Sequence, residues 1–149
     1  MQSIIHIDEP DLAADAGARW VVKDEVVAAE FAARAGALES AVGTNHYEAG
    51  DALLTGSTGD RWCVSRARFD GKYRPVGAIR AGEAGRYANH PVPIRAKRMS
   101  RPFSVARSAG GDVLRGEAGD WLVEYAPGDH GIVASGRFAA VYRITDPRR

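Results

Sequence analysis

At 149 residues the chain suits one ordinary domain or two small halves, and its mix of 45% hydrophobic and 26% charged residues is that of a globular protein. Twenty basic against 19 acidic side chains leave a net charge of +1, which argues against a nucleic-acid partner. No apolar run approaches the ~18–20 residues of a membrane span. The first fifteen residues carry no Lys or Arg and four acids, unlike a signal peptide, and the lone Cys63 has no disulfide partner. A cytoplasmic location and no membrane contact are therefore expected.

Of the basic residues only Lys23, Lys72 and Lys97 are lysines. With abundant Ala and Gly, that bias reads as the coding bias of a GC-rich bacterial or phage gene. Charge is uneven: residues 1–76 hold 8 basic and 12 acidic side chains, residues 77–149 hold 12 and 7.

Residues 1–16 read as an N-terminal extension in which Ile4, Ile5 and Ile7 could add an edge strand. A first unit spans 17–76. Its segment from Asp24 to Leu38 has helical spacing at Val27, Phe31 and Leu38, with Asp24 placed as an N-cap. The corresponding stretch of the second half, Ile94 to Val105, contains Pro102 and reads as a strand, so strand is favoured over 25–31 as well. Gly50-Asp51 and Gly59-Asp60 then mark turns around Ala52-Leu53-Leu54 and Trp62-Cys63-Val64, a hairpin pattern. Phe69 and Tyr73 follow at a spacing that places an aromatic pair in the core. Residues 77–89, with three glycines and few large apolar side chains, read as a connector. A second unit spans 90–145, and 146–149 form a tail.

Glu48–Arg74 and Glu117–Arg143 align without a gap at an offset of 69 residues, identical at 12 of 27 positions. The matches include Gly50/Gly119, Asp51/Asp120, Gly59/Gly128, Asp60/Asp129, Arg68/Arg137, Phe69/Phe138, Tyr73/Tyr142 and Arg74/Arg143. A weaker upstream match, at an offset of 72, pairs Val27 with Met99 and Phe31 with Phe103. The expected fold is mainly β, with β-rich α+β as its variant. It is built of two tandem, pseudo-symmetric repeats of short antiparallel strands and tight turns sharing one core, since units of ~60 residues are marginal alone. The two aligned segments should follow the same strand–turn–strand–aromatic path.

The run from Trp121 to Val133 contains Pro127-Gly128-Asp129-His130-Gly131. It resembles the signature that names the PGDYG proteins, small and mostly bacterial, with histidine where the name has tyrosine. The first half carries only Gly59-Asp60 of that signature and is similar to phage and prophage modules of the GDYL type. The resemblance implies a β-rich module and transfers no activity, cofactor or site.

Chemistry-bearing residues are sparse. Cys63 sits mid-strand and reads as a small buried hydrophobe. His6, His46, His90 and His130 form no H-x-H or H-x-x-x-H pair, so no metal is implied, and they read as surface or turn histidines. Asp51, Asp60, Asp120 and Asp129 follow glycine in turns, where aspartate bonds nearby backbone N–H groups. Gly50, Gly59, Gly119, Pro127, Gly128 and Gly131 complete that turn-forming set. Arg95, Lys97, Arg98, Arg101 and Arg107 lie in a stretch without acids, read as a solvated face. No phosphate-loop or nucleophile-elbow motif occurs, and no cofactor is implied.

Candidate contacts for a ligand or partner are Arg68, Arg137, Tyr73 and Tyr142, where arginine flanks an aromatic at fixed spacing, together with His130 and Asp129. The leading functional expectation is a non-enzymatic binding or accessory module, of phage or prophage association, whose partner is another protein or a second copy of the chain. The alternative is a small-ligand or nucleotide-binding protein that uses a cleft between the repeats. A hydrolase built from the turn aspartates and His130 ranks third.

Overall fold

A computed structural model describes residues 3–40, 42–108 and 111–145; the tail at 146–149 lies outside the described residues. The chain divides into two compact units, one continuous (Asp24–Pro91) and one assembled from Met1–Lys23 with Val92–Arg149. The structure is β-rich, with several antiparallel sheets.

The N-terminal segment contributes β1 (Ile5–Ile7), a single 3-10 turn (Leu12–Ala14) and β2 (Arg19–Lys23). The continuous unit follows with β3 (Val26–Phe31), β4 (Gly36–Ser40), β5 (Gly43–Tyr47), β6 (Ala52–Thr55), β7 (Arg61–Val64), α1 (Arg66–Lys72), β8 (Tyr73–Pro75) and β9 (Gly85–Asn89). Five of these strands form an antiparallel sheet in the order β7-β6-β3-β9-β8, while β4 and β5 pair as a separate hairpin.

In β3 the alternation of buried Val27 and Ala29 with exposed Val26, Ala28 and Glu30 is the period of two that a one-sided strand requires. It prevails over the helical spacing of Val27 and Phe31. Tertiary burial decides here, because Ala28 and Ala29 suit a helix on propensity alone.

Phe69 anchors the short α1 against the sheet, among Val27, Ala29, Ala52, Leu54, Tyr73 and Tyr87. Its ring stacks on Tyr73 at 5.1 Å and meets Tyr87 edge-on at 4.7 Å. Cys63 is buried, its thiol directed at the His46 carbonyl.

The second unit continues with β10 (Ile94–Arg98), β11 (Phe103–Ala106), β12 (Val113–Gly116), β13 (Trp121–Ala126), β14 (Asp129–Val133), α2 (Ser135–Val141) and β15 (Tyr142–Ile144). Its five-stranded sheet runs β14-β13-β10-β2-β15, and β1 joins β11 and β12 in a three-stranded sheet, parallel to β11. Ile5 and Ile7 thus take the edge position expected of them. Val21, Ala96, Val123, Val133, Phe138, Val141 and Tyr142 form this unit's apolar cluster.

The two five-stranded sheets have corresponding elements at four of their five positions, β7/β14, β6/β13, β3/β10 and β8/β15. α1 and α2 begin and end 69 residues apart, as do β8 and β15. Upstream, the offset of 72 does not describe the strands. Phe31 lies opposite Ala52, whereas Arg98 lies opposite Trp121, so β3 and β10 take equivalent register positions at an offset of 67. Phe103 belongs to β11, in another sheet.

Two boundaries also fall differently. The segment read as a connector contains β9, a strand interior to its sheet with Tyr87 fully buried. The place that β9 fills between β3 and β8 is filled between β10 and β15 by β2, which joins the C-terminal unit rather than opening the first one.

Candidate functional site

The Pro127-Gly128 turn organises one end of the C-terminal unit. Gly128 has a φ of +79°, and proline before a residue of positive φ suits a type II turn. Only these two residues separate β13 from β14, with Ala126 facing Asp129. On the β13 side the register shifts between Glu124 and Ala126, so Tyr125 occupies an irregularity of the ladder. Such an extra residue bends the strand and re-aims its side chain.

Gly131 provides the space that Tyr125 uses: a Cβ at Gly131 would lie 2.9 Å from Tyr125 Cε2 and 3.1 Å from its hydroxyl. Tyr125 as a whole is 37% exposed. One edge of the ring and the hydroxyl pack beside Gly131, and the hydroxyl hydrogen-bonds with Tyr142. Enclosure and the nearby Asp129 charge push the Tyr125 hydroxyl above the usual tyrosine range; Arg137, a hydrogen bond with Tyr142 and Arg107 partly oppose them. Tyr142 is in turn stacked on Phe138 at 4.8 Å, and Phe138 on Trp121 at 3.9 Å, so the hydroxyl rests on a packed aromatic row.

Three of the residues singled out in the sequence, Asp129, Arg137 and Tyr142, thus meet around Tyr125, which the sequence did not single out. The signal was available in principle, since Gly131 stands in a strand with no side chain of its own to pack. Arg68 and Tyr73 belong to the continuous unit. Tyr73 is buried against Phe69 and Tyr142 is only 9% exposed, so both rings are committed to their own unit's core. Arg68 lies on the exposed side of α1.

His130 is not a turn histidine. The two-residue turn leaves it inside β14, directly opposite Glu124, and both are buried. His130 Nε2 lies 2.9 Å from Glu124 Oε2, which also accepts the Leu12 N–H at 3.0 Å. The arrangement fastens the N-terminal segment to β13.

Of the four turn aspartates, Asp51 and Asp120 accept nearby backbone N–H groups and Asp60 accepts a hydroxyl. Glu48 N–H donates to Asp51 Oδ2, Glu117 N–H to Asp120 Oδ2 and Thr58 Oγ1 to Asp60 Oδ2, each at 2.9 Å. Asp120 additionally accepts Ser135 N–H at 3.0 Å, tying the start of α2 to the start of β13. Gly50, Gly59 and Gly119 all have positive φ.

The basic stretch is broken up by acids from elsewhere in the chain. Lys97 pairs with Asp15 at 2.9 Å and Arg107 with Asp112 at 3.5 Å, while Arg95 lies over the Trp20 ring at 4.1 Å. Among the described residues no three His, Cys, Asp or Glu side chains converge as a metal site would need. No helix among the described residues is long and apolar enough to cross a membrane.

No curated protein and no solved structure matches the chain. The model of one family does, that of the PGDYG protein, over residues 43–143, from β5 in the continuous unit to β15 in the other. The pentapeptide that builds the Tyr125 turn lies within that match. On this evidence the chain belongs to the PGDYG protein family.

Proposed function

We propose that the protein is a non-enzymatic binding module that docks another protein through the face carrying Tyr125. The observation that supports this most is Tyr125, more than a third exposed although its hydroxyl is desolvated beside Asp129, Arg137 and Tyr142. A tyrosine fixed in this way presents rigid aromatic area at little cost in side-chain entropy, and tyrosine and arginine dominate the energetics of protein interfaces. Burial of the His130–Glu124 pair favours this reading over a hydrolase.

The setting we propose is the bacterial cytoplasm, in association with phage or prophage functions. The arginine-rich composition and the likeness of the first half to phage modules support it. We read the two units as copies of one ancestral unit, on the 12 matched residues and the corresponding strands of the two sheets.

A photo-crosslinking amino acid in place of Tyr125, in the full chain expressed in bacterial cells, tests the docking face. The proposal expects a discrete covalent adduct with another protein from position 125 and none from exposed Arg115 on β12. No adduct, or the same adducts from both positions, would contradict it.

A further inference from the structure

Strand alternation in the continuous unit sends Val27, Ala29, Ala52, Leu54 and Tyr87 to the side where Phe69 of α1 packs, and the residues between them to the opposite face. The register arranges that opposite face in rows. Arg86, Ala28, Thr55 and Arg61 form one row across β9, β3, β6 and β7. Arg74, Ala88 and Val26 form the next, across β8, β9 and β3. The row of Glu30, Leu53 and Cys63 is the end that meets the β4–β5 hairpin, with the Cys63 thiol directed at the His46 carbonyl.

The remainder of the face is open: Val26, Ala28, Arg61, Arg74 and Arg86 are exposed, with Thr55 and Ala88 half-buried between them. In the other unit the corresponding positions are covered. There Glu124 and His130 take the register places of Thr55 and Arg61 and are buried, with the N-terminal segment fastened to Glu124 through Leu12 N–H.

Charge and spacing decide what the open face can receive. Arg61 is offset by Glu30, 3.6 Å away, whereas neither Arg74 nor Arg86 has a side-chain hydrogen bond or ion pair among the described residues. These two arginines are diagonal neighbours on adjacent strands, which places them about 7–8 Å apart. An extended chain presents every second side chain to the same side at intervals of about 7 Å. Acids at alternate positions of such a chain therefore match the two guanidinium groups in spacing as well as in charge, and arginine receives a carboxylate through paired N–H donors. Ala28, Ala88 and Thr55 are short, so a partner chain can approach the sheet closely beside the arginines. No aromatic side chain stands in these rows, so a nucleic acid would find no surface for base stacking.

We propose that this face docks an extended acidic segment of a partner protein, with Arg74 and Arg86 as its anchors. It belongs to the continuous unit and is independent of the Tyr125 face, so either can fail without the other.

Fluorescence anisotropy of the full chain with a short labelled peptide of alternating Glu and Thr tests it, with labelled oligothymidylate as the comparison. Saturable binding of the peptide is expected, weakening as salt is added. Arg74→Gln combined with Arg86→Gln should weaken it about tenfold, the loss of two exposed ion pairs. Ala28→Glu, which sets a like charge on the face, should weaken it at least as much. Arg98→Gln combined with Arg115→Gln, at exposed positions of the other unit, should leave the affinity unchanged. Absence of peptide binding would overturn the proposal, as would equal losses from the two arginine pairs or an affinity untouched by Ala28→Glu. Oligothymidylate binding more tightly than the peptide would make this a nucleic-acid surface and overturn it too. A chain that is dimeric until Ala28→Glu is introduced would give the face to a second copy, with the same consequence.

Discussion

Tyr125 and His130 lie close together in sequence and have opposite parts in the fold. Tyr125 is partly exposed, yet desolvation around its hydroxyl favours the protonated form. A folded-state pKa raised above the unfolded value of about 10 contributes stability below that value, and the contribution is lost as pH rises through the folded pKa. The ultraviolet titration of wild type minus Tyr125→Phe should therefore show a phenol ionising above pH ~10; a difference spectrum midway at or below that value would contradict the enclosure. His130 is buried against Glu124. Replacing it by Ala leaves the Glu124 carboxylate buried with Leu12 N–H as its remaining described partner, a defect that costs about 3 kcal/mol. Chemical denaturation measures it, and a loss below ~0.5 kcal/mol would show that the pair does not hold the N-terminal segment. Asp15 has the reverse sign to Tyr125. Lys97 and Gly17 N–H lower its pKa, so its contribution is present above the unfolded carboxylate value and fades as pH falls through the folded one. Lys97→Met should flatten that acid limb of the stability curve.

At the scale of elements, the hairpin β13–β14 shows what sequence could and could not disclose. Glycine and proline marked its turn correctly because backbone conformation there is local: only glycine adopts a φ of +79° without strain. The irregularity at Tyr125 was not legible, because it depends on how β13 pairs with β14. Gly131→Ala tests the coupling, since the new Cβ would meet the Tyr125 ring. The displaced hydroxyl should then titrate closer to an ordinary tyrosine in the same difference experiment, and an unchanged titration would show that Gly131 does not position it. Strand β9 escaped notice for a related reason. Gly85–Asn89 carries one large apolar side chain, Tyr87, and depends on backbone pairing to β3 and β8, information that lies in other segments. The strand at 26–31 was favoured through a comparison with the second half whose offset of 72 does not match the strands, since its alanines fit either periodicity.

For the whole molecule, the near-neutral charge and moderate length left the number of units open. The repeated turns pointed to two, and the structure divides the chain in two without dividing it in tandem. Asp24–Pro91 holds all five strands of its sheet, whereas Val92–Arg149 lacks β2, the strand between β10 and β15. Residues 24–91 alone should melt cooperatively, and residues 92–149 should not unless a peptide of residues 1–23 is added. Cooperative melting of 92–149 by itself would show that β2 is dispensable. The site was legible in part, because Asp129, Arg137 and Tyr142 stood out through their matched spacing, while the residue they surround matched nothing. The docking reading stands or falls on Tyr125, and the most direct measurement is the affinity of the full chain for the protein crosslinked at that position. Calorimetry with the purified partner should show Tyr125→Ala binding at least about tenfold more weakly than wild type, the loss typical of an interface anchor. Equal affinities for the two would contradict it.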